Sequence, residues 1–147
     1  MDIEEVSSTD LVQLMEIAKI AVLQSVDAPE ELKQEIITDT NHHLEAGLIS
    51  QSSVFLKKGG EDIKGFILIQ DYWNLSDLFV IPKYHGEGIG KELFLAALEK
   101  CKNHTNKNYI RVNSSLNAQS FYKSVGFEEF IPERTVPEYV VPFIYNF

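Results

Sequence analysis

The chain has 147 residues, an apolar fraction of 44% and a formal net charge of −9. That length suits one domain, 1–147, and that apolar share supports a folded core rather than a disordered chain. The negative charge argues against nonspecific nucleic-acid binding, which needs a positive field, and no run approaches the roughly 18 apolar residues of a membrane span.

The opening MDIEEVSSTD is acidic where a signal peptide would be basic and then apolar, so the chain reads as cytoplasmic, with no membrane partner. Residues 2–6 suit a short strand. Ser7 to Asp10 offer helix caps, and Gln13, three residues after Asp10, resembles a capping box. Leu11, Leu14, Met15, Ala18 and Val22 then recur at helical spacing. Pro29 opens a second helix carrying Leu32, Ile36 and Leu44, which Gly47 is expected to end.

The pattern next turns to strands. Residues 53–57 and 64–71 flank a Lys58-Gly59-Gly60-Glu61 turn and read as a hairpin. Residues 75–81 are a third strand, stopped by Pro82. Ile89, Leu93, Phe94, Ala97, Leu98 and Cys101 form an amphipathic stripe that predicts a helix over 88–103. A strand at 108–113, a short helix at 118–125 ended by Gly126, and strands at 127–131 and 139–145 complete the order. Helices mixed with hairpins point to an α+β fold with a mixed sheet. Cys101 is the single cysteine, so no intrachain disulfide forms, and its place in the stripe reads as a buried thiol. No His, Cys or Asp spacing suggests a metal site.

The chemistry-bearing stretch is His85-Gly86-Glu87-Gly88-Ile89-Gly90-Lys91, between the third strand and the amphipathic helix. A glycine turn opening a helix can aim backbone N–H groups at one anion, and the helix dipole adds partial positive charge. A pyrophosphate suits it, and so does a plain tight turn. The spacing fits neither a P-loop, since Glu92 follows Lys91, nor a dinucleotide fingerprint, since the glycines stand at 86, 88 and 90.

With Val80, Pro82 and Tyr84 before it, this stretch resembles the GNAT superfamily of acyl-CoA N-acyltransferases, whose turn Gly88 and Gly90 match directly. Asn117, Phe121, Tyr122, Gly126 and Phe127 resemble the same family's second CoA-side motif. The resemblance covers about residues 75–130. It implies a mixed, mostly antiparallel central sheet flanked by helices, with a V-shaped splay between strands 75–81 and 108–113. Acetyl-CoA, the implied cosubstrate, would lie in that opening. Its pantetheine arm would meet the backbone of Phe79, Val80 and Ile81. Its pyrophosphate would sit on the turn formed by His85, Gly86, Glu87, Gly88, Ile89, Gly90 and Lys91, and Asn117 would contact it from the short helix. Tyr122 would stand near the thioester sulfur as general acid, and the N–H of Val80 would receive the oxyanion.

The sequence departs from the family at the head of the turn, where His85 replaces Arg or Gln, and Glu87 is mildly unfavourable beside phosphate. Polyamine-acetylating relatives place a glutamate where this chain has Ser76, which leaves Asp77 as the candidate carboxylate, with His42 and His43 as other options for a base. Tyr72, Trp73 and Tyr139 are candidates to wall the acceptor site. Glu133 and Glu138 would attract a cationic amine, or are simply solvated charge. The expected activity is acetyl transfer to a primary amine, with a small amine such as a polyamine or amino-acid derivative favoured. A protein lysine or N-terminus as acceptor, and a non-catalytic acyl-CoA-binding module, stay open, as does a homodimer contact through the last strands.

Overall fold

The computed structural model describes residues 2–104 and 107–147. Strand β1 (Ile3–Glu5) leads through a 3-10 turn at Ser8–Asp10 into helices α1 (Leu11–Ser25) and α2 (Glu30–Ile49). Strands β2 (Ser53–Lys58), β3 (Gly65–Gln70) and β4 (Asn74–Val80) follow. Helix α3 (Ile89–Lys102), β5 (Tyr109–Ser115), α4 (Gln119–Ser124), β6 (Glu128–Glu129) and β7 (Val140–Asn146) complete the chain.

The strands form one seven-stranded sheet in the order β1-β2-β3-β4-β5-β7-β6. Every pairing is antiparallel except that of β4 with β5. This parallel pair is joined only at Asn74–Arg111 and Leu75–Val112. Beyond those positions β4 stays with β3 as far as Val80, while β5 stays with β7 as far as Ser115. The two strands therefore diverge, and the expected V-shaped splay is present.

Helices cover both faces of the sheet. Leu14, Ile17 and Leu44 of α1 and α2 pack on Phe55, Phe66 and Leu68. On the other face Leu93, Phe94 and Leu98 of α3 pack on Leu56, Ile67, Leu75 and Ile110. Burying each such side chain contributes about 1.5–3 kcal/mol, which is why the period of each stripe sets the fold. Cys101 is fully buried on the α3 face, and burial pushes its thiol pKa up to about 12.

Strand β4 carries a bulge. Leu68 faces Asp77 and Ile69 faces Leu75, so Ser76 has no partner opposite it. Regular alternation would put Leu75 and Asp77 on one face. The extra residue reverses this: Leu75 joins the α3 core, and Asp77 turns toward α2.

Several expected boundaries move. Gly47 does not end α2, which runs on to Ile49. There the glycine sits buried against Leu68 and Phe55, and its missing side chain lets the helix lie close to the sheet. Gln13 is not part of a capping box. Its carboxamide reaches the β2–β3 loop, accepting from Ile63 N–H at 2.8 Å, while Asp10 caps Ser7 N–H at 2.9 Å. The strand expected at 127–131 shortens to Glu128–Glu129.

Candidate active site

A cavity of about 580 Å³ occupies the opening between β4 and β5. Leu78, Phe79 and Val80 form one wall, and Ser115, Asn117 and Tyr122 the other. The turn into α3 lines its open end, and Ala21 and Ser25 of α1 close one side.

The backbone of β4 is presented to this cavity by register. The N–H of Ile81 donates to Lys64 C=O at 2.9 Å, so Ile81 is tied to the β3 side. Strand alternation then points the N–H and C=O of Val80 the opposite way, where β5 has already diverged. The Val80 carbonyl accepts from His85 Nε2 at 3.0 Å, so His85 is fixed as the Nε2–H tautomer and only the Val80 N–H stays open.

At the turn, Gly86 and Gly88 have φ of +87° and +80°, a region that favours glycine. Gly88 caps α3, and its carbonyl accepts from the Glu92 N–H at 3.0 Å. The N–H groups of Ile89, Gly90 and Lys91 have no intrahelical acceptor, and all three residues line the cavity. Glu92 would oppose an anion here, but Lys58 holds it at 2.9 Å. Lys91 lines the cavity, and Lys64 and Lys83 flank the Tyr84 ring at 5.0 and 5.1 Å. Lys91 thus sets one cation on the lining, and two more stand beside Tyr84, itself a lining residue. Of the turn residues, Glu87 alone is outside the lining, exposed to solvent, and Ile81 is outside it for the reason above.

Tyr122 is 6% exposed, wedged edge-on between Phe121 and Phe127, and it lines the cavity. Burial first, and the charge of Asp77 second, push its phenol well above the usual tyrosine range. Among the described residues no hydrogen bond ties its hydroxyl to the protein.

Asp77 is not the solvated strand-end carboxylate its sequence position allows. It is 4% exposed, and its Oδ2 accepts from Ser76 Oγ at 2.8 Å and from His43 Nδ1 of α2 at 3.1 Å. The hydrogen bond to Asp77 raises the His43 pKa above its ordinary value, against an opposing effect of burial. Of the two adjacent histidines, His42 points to solvent and His43 engages the sheet.

The remaining candidates separate. The side-chain amide of Asn117 donates to the Ser25 carbonyl, tying the start of α4 to the end of α1. Tyr72 and Trp73 do not line the cavity. They stand at the closed base of the V, where Tyr72 stacks on His104 with centroids 5.0 Å apart and Trp73 meets Tyr109 edge-on at 6.1 Å. The splay opens away from them, because the β4–β5 pairing begins at Asn74 beside Trp73. Tyr139 precedes β7, whose Val140 faces Ser115, so it lies beside the open end without entering the lining. Sequence reasoning missed Ala21 and Ser25. Their signal is small residues one turn apart on α1, where the helix comes close to the opening.

A family model described as an acetyltransferase (GNAT) domain matches residues 15–140. The chain belongs to the GNAT acetyltransferase family. Three solved structures share the GNAT fold over nearly the whole chain. PaiA N-acetyltransferase from Thermoplasma acidophilum, in complex with coenzyme A, is 20% identical with a TM-score of 0.78, over 99% of this chain and 98% of its own. A GCN5-related N-acetyltransferase from Rhodopseudomonas palustris is 19% identical with a TM-score of 0.78, over 99% and 94%. YjaB from Escherichia coli, in its apo form, is 21% identical with a TM-score of 0.69, over 97% and 95%. No curated protein sequence matches the chain. Among the described residues of this GNAT domain, no helix is long and apolar enough to cross a membrane.

Proposed function

We propose that the protein is an acetyl-CoA-dependent N-acetyltransferase that acetylates a primary amine by direct attack, with a small cationic amine such as a polyamine or amino-acid derivative as acceptor. The observation that carries this reading is the cavity between β4 and β5, which brings together the open N–H of Val80, the N-terminus of α3, which no side chain caps, and the Tyr122 side chain. The coenzyme A bound to the Thermoplasma relative, which shares this fold, supports the choice of ligand.

In this reading the pyrophosphate rests on the N–H groups of residues 88–91 and on Lys91, and the pantetheine arm runs along Phe79 and Val80. The Val80 N–H receives the oxyanion that develops as the amine attacks the thioester carbon. The C–S bond then breaks, and Tyr122 donates its proton to the departing thiolate. A desolvated phenol stays protonated across the physiological range, as an acid must. The net charge of −9 favours a cationic acceptor. Asn117 helps to hold the cofactor from its place beside α1, and Tyr139 bounds the acceptor side.

A thermal-shift titration with acetyl-CoA, CoA and ATP tests the cofactor assignment, since a ligand of the native state raises the melting point by mass action. Shifts with acetyl-CoA and CoA but not ATP are expected. Thiol release with spermidine, amino-acid amides and lysine peptides then tests the reaction. No shift with acetyl-CoA at millimolar concentration overturns the assignment. A shift without thiol release from any amine leaves a binding module, and release with lysine peptides alone makes it a protein acetyltransferase.

A further inference from the structure

We propose that His43 takes the proton from the acceptor amine, and that Asp77 is the positioning residue that holds it for that task. The inference rests on the acetyl-transfer reading above.

Asp77 is poorly placed to meet an amine itself. Its side chain is 2% exposed, and neither it nor His43 lines the cavity, whose wall begins one residue further along β4 at Leu78. Its Oδ2 already accepts from Ser76 Oγ at 2.8 Å and from His43 Nδ1 at 3.1 Å, with Oδ1 at 3.4 Å from the same ring nitrogen. The bulge at Ser76 is what turns this carboxylate toward α2.

His43 is the group that reaches out of that arrangement. A carboxylate can only accept, so Nδ1 carries the hydrogen and, in the neutral ring, Nε2 carries the lone pair. The His43 side chain is 42% exposed, and among the described residues Nε2 has no protein partner. A base oriented by a buried carboxylate, with its second nitrogen open, is the arrangement that activates nucleophiles on unrelated folds. Tyr122 of α4 feels the charge of the same Asp77 that His43 of α2 hydrogen-bonds.

The proton count closes. The cationic acceptor first gives one proton to water, and Nε2 takes a second from the now neutral nitrogen as the N–C bond forms. The C–S bond breaks, and the thiolate takes the proton of Tyr122. The imidazolium, stabilised by Asp77, then loses its proton to water at its exposed edge, and the tyrosinate recovers one from water.

The charges that face His43 are Asp77 from β4 and Asp39 from one turn earlier on α2, and both raise its affinity for a proton. Only the neutral ring works as a base, so kcat/KM should rise with pH along a limb whose midpoint lies above the unperturbed 6.5. The test is the pH profile of kcat/KM for the wild type, His43→Gln and Asp77→Asn with spermidine, an amino-acid amide and a lysine peptide. The acceptor's own ionisation is common to all three proteins. His43→Gln should lose about a hundredfold in kcat/KM, and the limb with it, at unchanged acetyl-CoA affinity. Asp77→Asn should move the limb to lower pH. Where Asp77→Asn fails to fold, His43→Gln decides alone, since its site is half exposed. A His43→Gln enzyme with wild-type rate and profile, or an Asp77→Asn enzyme with an unmoved limb, overturns the inference and leaves acetyl transfer standing. A wild type that binds acetyl-CoA but acetylates none of the amines overturns both.

Discussion

The side chain of Asn117 donates to the backbone carbonyl of Ser25, so the loop before α4 and the last turn of α1 are joined at the cavity. These residues are 92 positions apart in sequence, and the bond fixes the distance between the two sides of the opening. A net hydrogen bond of this kind is worth about 1 kcal/mol. Asn117→Ala should therefore weaken acetyl-CoA binding by about fivefold, measured by calorimetry. An unchanged Kd would mean that the bond has no part in holding the cavity for its ligand.

Gly88 has φ of +80°, and a Cβ built there would meet nothing within 4 Å. The cost of replacing it is thus conformational rather than steric, about 1–2 kcal/mol for an ordinary residue in the left-handed region. Gly88→Ala should lower Tm by about 3–8 °C and weaken acetyl-CoA binding by tilting the first turn of α3. Asn tolerates this region better, so Gly88→Asn should lose less stability than Gly88→Ala. The reverse order in a melting experiment would show that the backbone conformation is not what selects glycine here.

Gly47 sets two effects against each other. Alanine in a helix interior gains about 1 kcal/mol over glycine. A Cβ at this position, however, would lie 2.8 and 3.0 Å from the δ-carbons of Leu68 and 3.2 Å from Phe55 Cδ2. Leu68 is fully buried, so it has little room to retreat, and overpacking of this kind costs about 1–3 kcal/mol. Gly47→Ala should be destabilising on balance, and a rise in Tm would show that Leu68 can move aside.

The same glycine shows where sequence reading reaches its end. Local periodicity placed α3 well, because its apolar stripe from Ile89 to Cys101 is buried throughout. A glycine that stops a helix and one that lets it approach a sheet look alike until the partner is known. The β3–β4 turn carries no glycine at all, yet Asp71 and Tyr72 both have positive φ, 55° and 65°, with Trp73 N–H donating to Gln70 C=O at 3.2 Å. That turn places Tyr72 and Trp73 beside the closed end of the V, outside the lining of the cavity. The glycine turn before α3 is local and legible in the sequence as a turn that opens a helix. The splay became legible through the resemblance, and the pairing of His43 with Asp77 joins residues 34 apart that share no motif.

The His43–Asp77 pair also gives stability a pH dependence. Its His43 pKa is raised in the folded protein, first by the hydrogen bond to Asp77. A raised folded pKa means that the stabilisation is fully present below the unfolded value, near 6.5, and is lost as pH rises through the higher folded value. The stability difference between wild type and His43→Gln should therefore be larger at about pH 6 than at about pH 9 in urea unfolding. A difference that grows toward high pH would mean that His43 is held in its neutral form.

Tyr122 offers the sharpest separation of binding from chemistry. Its ring packs between Phe121 and Phe127, and Tyr122→Phe keeps that packing while removing only the hydroxyl. Acetyl-CoA affinity should be retained while kcat falls about a hundredfold or more, the usual worth of a positioned acid. Burial and the Asp77 charge raise its pKa above the ordinary 10, so no descending limb from this group should appear in the wild-type kcat profile below about pH 10. The nearby carboxylate makes a lasting tyrosinate costly, so the proton lent to sulfur must return quickly. A solvent isotope effect on kcat that disappears in Tyr122→Phe would mark that transfer. Full activity in Tyr122→Phe would assign the leaving thiolate to water and leave the tyrosine as a wall of the cavity.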